Sequence, residues 1–476
     1  MVDRLTRSVV LLRYVLLVYG ALLLLAPRAV AQSADTLALN IEDVITRAVE
    51  ISPDIGEVRA DRDFAAARSR LARSSRFLTE FSATTAHAIA PGLDRPNSDT
   101  PTDALYLDPD VRNDWDRASP FNQIEVEALQ PIYTWGELGG SIKAARHGVK
   151  VEEAAVERKE LEVALRAAEL YYNVLLTNEL FRLAERTGDV LQQAKREIER
   201  LQQEGDPSMD DADLFQVQIT EQEYYRRVAE VTQNQITARV ALARQLFLPE
   251  GTVVVPENDV LTPIEFVPEP LETYFDIAMQ QRPELAQARA GLAARDALVT
   301  VARSDYYPKL FLGLRAKYAY ADNRFRQRNP YIGDPFLSRT LEAGLGLRQK
   351  LNFLQTRAKV DQARAEQEQV RYQLEGAQQL ILVQVEQAYR NLLVEQAALA
   401  AQDSSLTITN EWLRVEYINF DLELGDTENL VKAVQANLEL EARYYEAVRR
   451  YNMAILRLLN AVGILTDRAQ SGTLVE

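Results

Sequence analysis

The chain of 476 residues contains no cysteine and only two histidines, His87 and His147. Without cysteine it can form no disulfide, no thiolate metal site and no cysteine-linked lipid anchor. Two isolated histidines argue against histidine catalysis and against a multi-histidine metal site. The sequence also lacks a glycine-rich phosphate loop and a nucleophile motif. It therefore predicts a protein that is not an enzyme and holds no cofactor or metal.

Positive charge is in short supply as well. The chain has 54 Lys and Arg against 70 Asp and Glu, which gives a formal net charge of -16. Because phosphate binding needs a basic face, this balance argues against nucleic acid as a partner.

Long apolar runs are missing after residue 31, which excludes a helical membrane protein. The one apolar run, Val15–Ala26, follows three arginines (Arg4, Arg7 and Arg13) and precedes the small-x-small pattern at Ala29–Ala31. Residues 1–31 are therefore expected to be an export signal peptide. An uncleaved membrane anchor is the alternative, which the short apolar run disfavours.

What the chain does have is an internal repeat, with two copies about 220 to 230 residues apart. The matching segments are Ser52–Ile55 with Arg282–Leu285, Ala72–Ser74 with Ala302–Ser304, Tyr171–Leu175 with Tyr389–Leu393, and Gly205-Asp206 with Gly425-Asp426. Two copies are too few for a solenoid, so we interpret them as a duplicated half with internal pseudo-symmetry.

The repeat sets the predicted domain boundaries. The first repeat spans residues 32–248 and the second spans 272–463, with a C-terminal tail at 464–476. A proline-rich segment, residues 249–271, joins the two repeats. This segment is either a plain linker or part of a belt outside a wall of helices.

Each repeat contains a long helical segment. Glu137–Glu204 has no proline and is rich in Ala, Glu, Leu, Arg and Gln, which predicts a helix of roughly 100 Å. The second copy runs from about Leu354 to Leu424, and shorter helices are predicted over Asp211–Phe247 and Thr427–Ala461. The result is two antiparallel helical hairpins. Small residues on more than one face favour a wall of helices over an isolated coiled coil or closed bundle.

Four short segments alternate with a period of two residues, which predicts strands: Phe77–Ala90, Gln123–Tyr133, Lys309–Ala321 and Thr340–Asn352. In the third, leucines, alanines and tyrosines share one face while lysine, arginine and glycine share the other. This pattern is typical of membrane-spanning strands, although an amphipathic sheet on a soluble core has it too.

The connections favour the membrane interpretation. Polar segments, Pro91–Pro120 and Asp322–Arg339, join the strands of each pair and predict hairpins with outer loops. The other end of each strand runs directly into a helix. Four strands cannot close a barrel without leaving backbone groups unpaired in lipid, so the chain must oligomerise, and three copies would supply twelve strands.

This arrangement resembles the TolC-type outer-membrane efflux channels over Leu39–Gly463. The resemblance rests on Ala-Arg-Ser before the first strand of each half, the strand exit at Leu129–Tyr133, the helical Tyr-x-Asn-Leu-Leu at Tyr389–Leu393, and the Gly-Asp turns. Each motif is short, but the order and the duplication of the motifs are specific to this family.

The resemblance implies a mainly α fold with a membrane β-barrel. Three chains would form one twelve-stranded barrel in the outer membrane, in contact with its lipid, and helices would form a tapering tunnel in the periplasm. Such a homotrimer is a passive exit duct that works with an inner-membrane transporter and a periplasmic adaptor, which engages the turns at Gly205 and Gly425. The alternative is a soluble periplasmic coiled-coil adaptor or scaffold, but adaptors have one helical hairpin rather than two.

Acidic residues cluster at the two helical turns: Asp206, Asp210, Asp211, Asp213, Asp426 and Glu428. In a symmetric assembly they would form rings that attract cations. Capping of helix N-termini explains the same residues equally simply. The resemblance places acidic rings a few residues further on, where this chain has Val431, Lys432 and Val434.

Overall fold

The computed structural model describes residues 36–77, 79–94, 112–204, 211–249, 251–324, 333–422 and 427–474. The predicted signal peptide, residues 1–31, lies outside the described residues.

The first half of the chain forms eight elements before the joining segment ends. In order they are β1 (Thr36–Leu39), α1 (Ile41–Ile51), α2 (Pro53–Ser74), β2 (Glu80–Asp94), β3 (Arg112–Tyr133), α3 (Glu137–Glu204), α4 (Asp211–Gln245) and β4 (Val253–Pro256).

The second half repeats the order of two helices, two strands, a long helix and a shorter helix, and then ends with α9. Its elements are α5 (Leu271–Gln281), α6 (Pro283–Ser304), β5 (Lys309–Ala321), β6 (Ser338–Arg348), α7 (Phe353–Asp421), α8 (Thr427–Val462) and α9 (Leu465–Gln470).

Several elements of the two halves match in length. Helices α2 and α6 both have 22 residues and both begin with a proline, whose fixed φ suits the first helical position. The long helices α3 and α7 have 68 and 69 residues, and the returning helices α4 and α8 have 35 and 36. The predicted helical hairpins are therefore present in both halves.

The four predicted strands form one antiparallel sheet in the order β2-β3-β5-β6. The predicted loop from Pro91 to Pro120 is wrong at both ends, because β2 continues to Asp94 and β3 begins at Arg112. The two extensions pair with each other beyond a bulge between Ala90 and Gly92. A parallel pair of β1 and β4, which the sequence did not predict, joins the N-terminal end of the first half to the joining segment.

Next to the sheet the helices lie side by side. Helix α3 packs between α2 and α6, and α6 packs between α3 and α7. Farther from the sheet, α3 pairs with α4, α7 pairs with α8, and α3 also contacts α8. The helices α2, α3, α6 and α7 therefore form a layer that continues from the end of the sheet.

The main hydrophobic core lies midway along the long helices. There α1, α5 and α9 cover one side of the helical layer, and Val44, Ile45, Ala164, Leu458 and Val462 are almost fully buried. Apolar burial of this kind supplies most of the stability of the fold.

The joining segment, residues 249–271, is held against this core. The fully buried side chain of Asn452 on α8 accepts a hydrogen bond from the N–H of Ile264 at 2.9 Å and donates one to the carbonyl of Thr262 at 2.8 Å. On α3, Glu179 accepts the N–H of Leu261 at 2.9 Å. The segment therefore bridges two helices that belong to different halves.

Candidate functional site

The sheet has one apolar face that is largely exposed. In one cross-strand row Ala83, Val126, Ala316 and Leu341 are paired in register. The large exposed side chains of this face are Phe81, Ile89, Ile124, Leu312, Leu314, Tyr318, Tyr320, Leu341, Leu345 and Leu347. A continuous apolar face of this size marks a surface that meets another apolar phase.

The opposite face of the sheet is polar. Adjacent rows bring together Thr84, Glu125, Lys317 and Thr340, and then Ser82, Glu127, Arg315 and Glu342. Arg315 pairs with Glu125 at 3.1 Å and also with Glu127. The charges therefore lie on one side of the sheet and partly neutralise each other there.

An aromatic cluster marks the end of the sheet that faces the helices. The rings of Trp135 and Tyr307 stack with centroids 4.7 Å apart, and Tyr133 packs edge-on against Trp135 at 4.9 Å. The indole N–H of Trp135 donates to the carbonyl of Pro308 at 2.8 Å. Trp135 and Gly136 have φ values of 52° and 94°, so both residues of the turn from β3 into α3 have a left-handed backbone conformation. Amphipathic aromatic rings of this kind favour a boundary between an apolar and an aqueous phase.

The other end of the sheet is fastened by Arg324. Its guanidinium pairs with Asp334 at 2.7 Å, donates to the carbonyl of Pro91 at 2.7 Å and lies over the ring of Phe336. The two side chains of the ion pair are at most 10% exposed. On the apolar face nearby, His87 hydrogen-bonds Asn122 at 2.8 Å.

The sheet is open. Among the described residues, the outer edge of β2 and the outer edge of β6 have no strand partner. Unpaired edges of this length are templates for pairing with another strand. The predicted closed barrel is therefore not formed by a single chain.

Two adjacent glycines stand where α3 meets α6. A Cβ built on Gly140 would lie 2.8 Å from the Cγ2 of Val301 and 2.9 Å from the carbonyl oxygen of Ala297, whereas a Cβ on Gly139 would meet nothing within 4 Å. Gly140 therefore permits the close approach of the two helices.

We expect Gly140→Ala to lower the stability of the protein and Gly139→Ala to leave it unchanged or slightly higher. Overpacking against a backbone carbonyl costs about 1–3 kcal/mol, while removing an exposed helical glycine gains about 0.5–1 kcal/mol. The midpoint of thermal unfolding of each variant, followed by circular dichroism in detergent, checks this pair. Equal midpoints for the two variants would contradict the assigned helix contact.

Near the far ends of the long helices, an ion pair joins the two helical hairpins. Arg186 on α3 pairs with Glu441 on α8 at 2.5 Å, and this hydrogen bond raises the pKa of the arginine. Within the first hairpin, Lys195 on α3 pairs with Glu221 on α4 at 2.9 Å. The sequence offered no signal for the first of these pairs, because its partners lie 255 positions apart.

The predicted residues at the helical turns are only partly placed. Gly205, Asp206, Asp210, Gly425 and Asp426 lie outside the described residues. Asp211 and Asp213 lie in the first turn of α4, and Glu428 lies in the first turn of α8, but their side chains are not described. The ring and capping interpretations both stay predictions.

Metal-ligating side chains are scattered over the part of the chain that the structure describes. There, no three His, Cys, Asp or Glu side chains come together as metal ligands. None of the helices in those same ranges combines the length and the apolarity needed to cross a membrane.

Comparison with known proteins supports the resemblance seen in the sequence. Residues 275–422 match the outer membrane efflux protein family. No curated protein sequence matches the chain.

Several solved structures share the fold. The outer-membrane channel CmeC of Campylobacter jejuni superposes with a TM-score of 0.68 at 16% identity, over 91% of this chain and 89% of that one. CusC superposes with a TM-score of 0.69 at 16% identity, over 91% and 95% of the two chains. The open state of the MtrE outer membrane channel of Neisseria gonorrhoeae gives 0.69 at 15% identity, over 89% of each chain. The resemblance to outer-membrane efflux channels is thus confirmed in fold.

Proposed function

We propose that this chain, which carries an outer membrane efflux protein domain, is one subunit of a trimeric exit duct. The duct would pass solutes from the periplasm through the outer membrane without an energy source of its own. The observation that supports this most directly is the four-stranded sheet, with one apolar face, one polar face and two open edges, whose strands continue into a wall of helices.

The two faces of the sheet suit opposite environments. Leu341, Leu345 and Leu347 are each at least 70% exposed in the single chain, and burial in lipid would remove that apolar surface from water. The polar face, which carries Glu125, Arg315 and Lys317 in two adjacent rows, would border a water-filled lumen. The Trp135–Tyr307 cluster would then lie at the periplasmic boundary of the membrane.

Closure of the barrel would require other copies of the chain. In lipid the free N–H and C=O groups of β2 and β6 have no water to bind, so each edge must pair with a strand. The simplest closed arrangement pairs β6 of one subunit with β2 of the next. Three copies give twelve strands, and their helical layers close into a tunnel below the barrel.

We propose that the helical turns bind the adaptor and determine which ions enter the tunnel. By the resemblance stated above, a periplasmic adaptor would engage the turns at Gly205 and Gly425, and an inner-membrane transporter would deliver the solute. Threefold rings of Asp206, Asp426 and their neighbours would attract cations to the tunnel opening. The soluble adaptor or scaffold alternative leaves the exposed apolar face of the sheet without an explanation.

Cysteine cross-linking across the proposed seam tests this assembly. Because the chain has no cysteine, every thiol that is introduced is unique. We expect Ser82→Cys on β2, combined in turn with Glu342→Cys, Gly344→Cys or Gly346→Cys on β6, to give oxidised dimers and trimers for at least one pair. The matched control is Gln123→Cys with Ala319→Cys, which are paired in register between β3 and β5. This pair should oxidise within one chain and leave it monomeric on a denaturing gel.

The pattern of cross-links decides the outcome. If the control pair oxidises while no seam pair links two chains, the trimeric barrel is wrong. Extraction from membranes only by detergent, together with single-channel conductance in planar bilayers, tests the duct itself. A protein that is released by buffer alone and conducts no ions would favour the adaptor or scaffold.

A further inference from the structure

The helical layer carries a concentration of positive charge immediately below the sheet. We use the term junction collar for six exposed basic residues, which are Lys143, Arg146 and Lys150 on α3, Arg303 on α6, and Arg357 and Arg364 on α7. The chain as a whole has a formal charge of -16, so these residues stand apart from its general balance. Within the described residues, the three α3 residues and Arg303 make no ion pair.

The α3 part of the collar faces away from the proposed lumen. Lys143, Arg146 and Lys150 recur at three- and four-residue spacing, and the same stripe continues along α3 to Leu161 and Ala164. Those two residues are buried in one core with α1, which packs on α3 as a second layer. A lumen must be lined by the uncovered face of the helices, so the covered face of α3, and the α3 part of the collar with it, lies outside.

Glu157 supports the same orientation. It lies on this stripe between the collar and Leu161, and burial, followed by the nearby carboxyls of Glu160, Asp467 and Glu153, raises its pKa. Asp467 belongs to α9, which is therefore close to the same face of α3. Two elements of the second layer thus mark this side as the outer one.

The α6 and α7 parts of the collar surround a cleft of about 340 Å³. Its walls are Arg303, Arg357 and Arg364 together with Tyr306 and Tyr307, and Val360 and Asp361 complete the lining. The only acidic side chain of the cleft, Asp361, lies 3.9 Å from Arg357 and 3.6 Å from Arg364. Three guanidinium groups against one carboxylate leave the cleft with a net positive charge.

The cleft lies at the level of the aromatic cluster. Tyr307 lines the cleft and also stacks on Trp135. Arg303 is in the last turn of α6, and Lys143 is six positions into α3, which at 1.5 Å per residue is about 9 Å from the start of that helix. The proposed function places the headgroups of the bilayer at this level.

We propose that the junction collar binds the phosphodiester headgroups of anionic phospholipids in the membrane leaflet that faces the helices. This inference rests on the proposed function, because the membrane boundary is needed to bring lipid to the collar. Planar guanidinium groups bind phosphate oxygens in pairs, and tyrosine hydroxyls donate to them as well. Basic residues beside a bilayer are attracted to anionic lipid over roughly one Debye length, about 8–10 Å.

A neighbouring subunit cannot occupy the α3 part of the collar. Helix α3 already has α2 on one side and α6 on the other within its own chain. Its outer face near the sheet is therefore free in any ring of subunits.

Lipid retention by the purified full-length trimer tests the proposal. The trimer is reconstituted in nanodiscs that contain phosphatidylcholine and phosphatidylglycerol, then returned to detergent, and the retained lipids are measured by mass spectrometry. We expect retention of phosphatidylglycerol over phosphatidylcholine in the unmodified protein. In the combined variant Arg303→Gln, Arg357→Gln and Arg364→Gln, the ratio of retained phosphatidylglycerol to phosphatidylcholine should fall. At low salt we expect a decrease of about fivefold for each arginine removed.

The matched control removes three exposed arginines that lie away from the collar: Arg227→Gln, Arg390→Gln and Arg443→Gln. It removes the same number of positive charges, and it should keep the preference for phosphatidylglycerol. A second variant, Lys143→Gln with Arg146→Gln and Lys150→Gln, should weaken retention even if the cleft variant fails to assemble.

Three results would overturn the proposal. The first is equal retention by the collar variants and the unmodified trimer, and the second is equal loss in the control variant. The third is displacement of the lipid by inorganic phosphate but not by chloride of the same ionic strength, which would assign the cleft to free phosphate. Failure of the proposed function looks different, because the unmodified chain would then neither form trimers nor enter nanodiscs.

Discussion

Leu341→Arg will prevent the chain from assembling in the membrane, whereas Thr340→Arg, one residue earlier on the same strand, will not. Leu341 is 75% exposed on the apolar face, in the row of Val126 and Ala316. An arginine on the lipid face of a barrel costs about 2–4 kcal/mol near the bilayer midplane. In a trimer the cost is roughly 6–12 kcal/mol, because each subunit contributes one such arginine.

Thr340 is the matched control because its side chain lies on the other face. It is in the row of Glu125 and Lys317, where an added arginine would lie opposite Lys317 but on the polar face, with Glu342 two residues further along the same side of β6. The measurement is the yield of trimer that resists alkaline extraction from membranes and runs as a trimer on an unheated gel. Normal yield for Leu341→Arg and loss for Thr340→Arg would mean that the two faces of the sheet have been assigned the wrong way round.

The second large effect is expected at Asn452. Asn452→Ala removes both side-chain hydrogen bonds to the joining segment and leaves the N–H of Ile264 and the carbonyl of Thr262 without partners. Ile264 and Asn452 are buried, so water cannot easily replace the lost groups. Leaving one buried polar group unpaired costs about 1–3 kcal/mol, which predicts a total of about 2–6 kcal/mol for the two.

The loss of stability should be confined to the joining segment. We expect proteolysis within residues 249–271 to become about 30-fold faster or more, since each 1.4 kcal/mol of opening free energy is a factor of ten. Thr262→Ala is the control, because it changes an exposed side chain and keeps the backbone carbonyl that Asn452 binds. Cleavage of Asn452→Ala at the rate of this control would show that the segment is held by other contacts.

The sequence predicted the regular parts of the fold well, because their signals are local. The stretch without proline from Glu137 predicted both ends of α3, and the alternation of Leu310, Leu312 and Leu314 predicted β5 and the direction of its faces. Such patterns depend on side chains three or four residues apart in helices and two apart in strands.

The missed features depend on partners that are distant in the sequence. The extensions of β2 and β3 have the Pro, Asp and Asn content of a loop, but Arg324 binds Pro91 and Asn113 and fastens them to the sheet. The pair of β1 and β4 joins Thr36 to Val253, and each strand is only four residues long. No local pattern identifies either arrangement.

The candidate site also has parts that the sequence could predict and parts that it could not. The apolar face of the sheet could be predicted from alternation, whereas the Arg186–Glu441 pair and the collar cleft could not, because each needs two helices in known relative positions. Acidic residues near a helix start do not reveal whether they cap that helix or face a pore, since both roles need the same residue types.

The open edges of β2 and β6 also set a condition on biogenesis. In the proposed ring the β3–β5 contact is built into one polypeptide, but the β6–β2 contact must wait until another molecule arrives. A newly exported monomer would therefore expose two adhesive strands for as long as it is alone, and wrong pairing would compete with ring formation. Correct assembly should then depend on the concentration of newly made subunits and on chaperones that cover these strands before the ring forms.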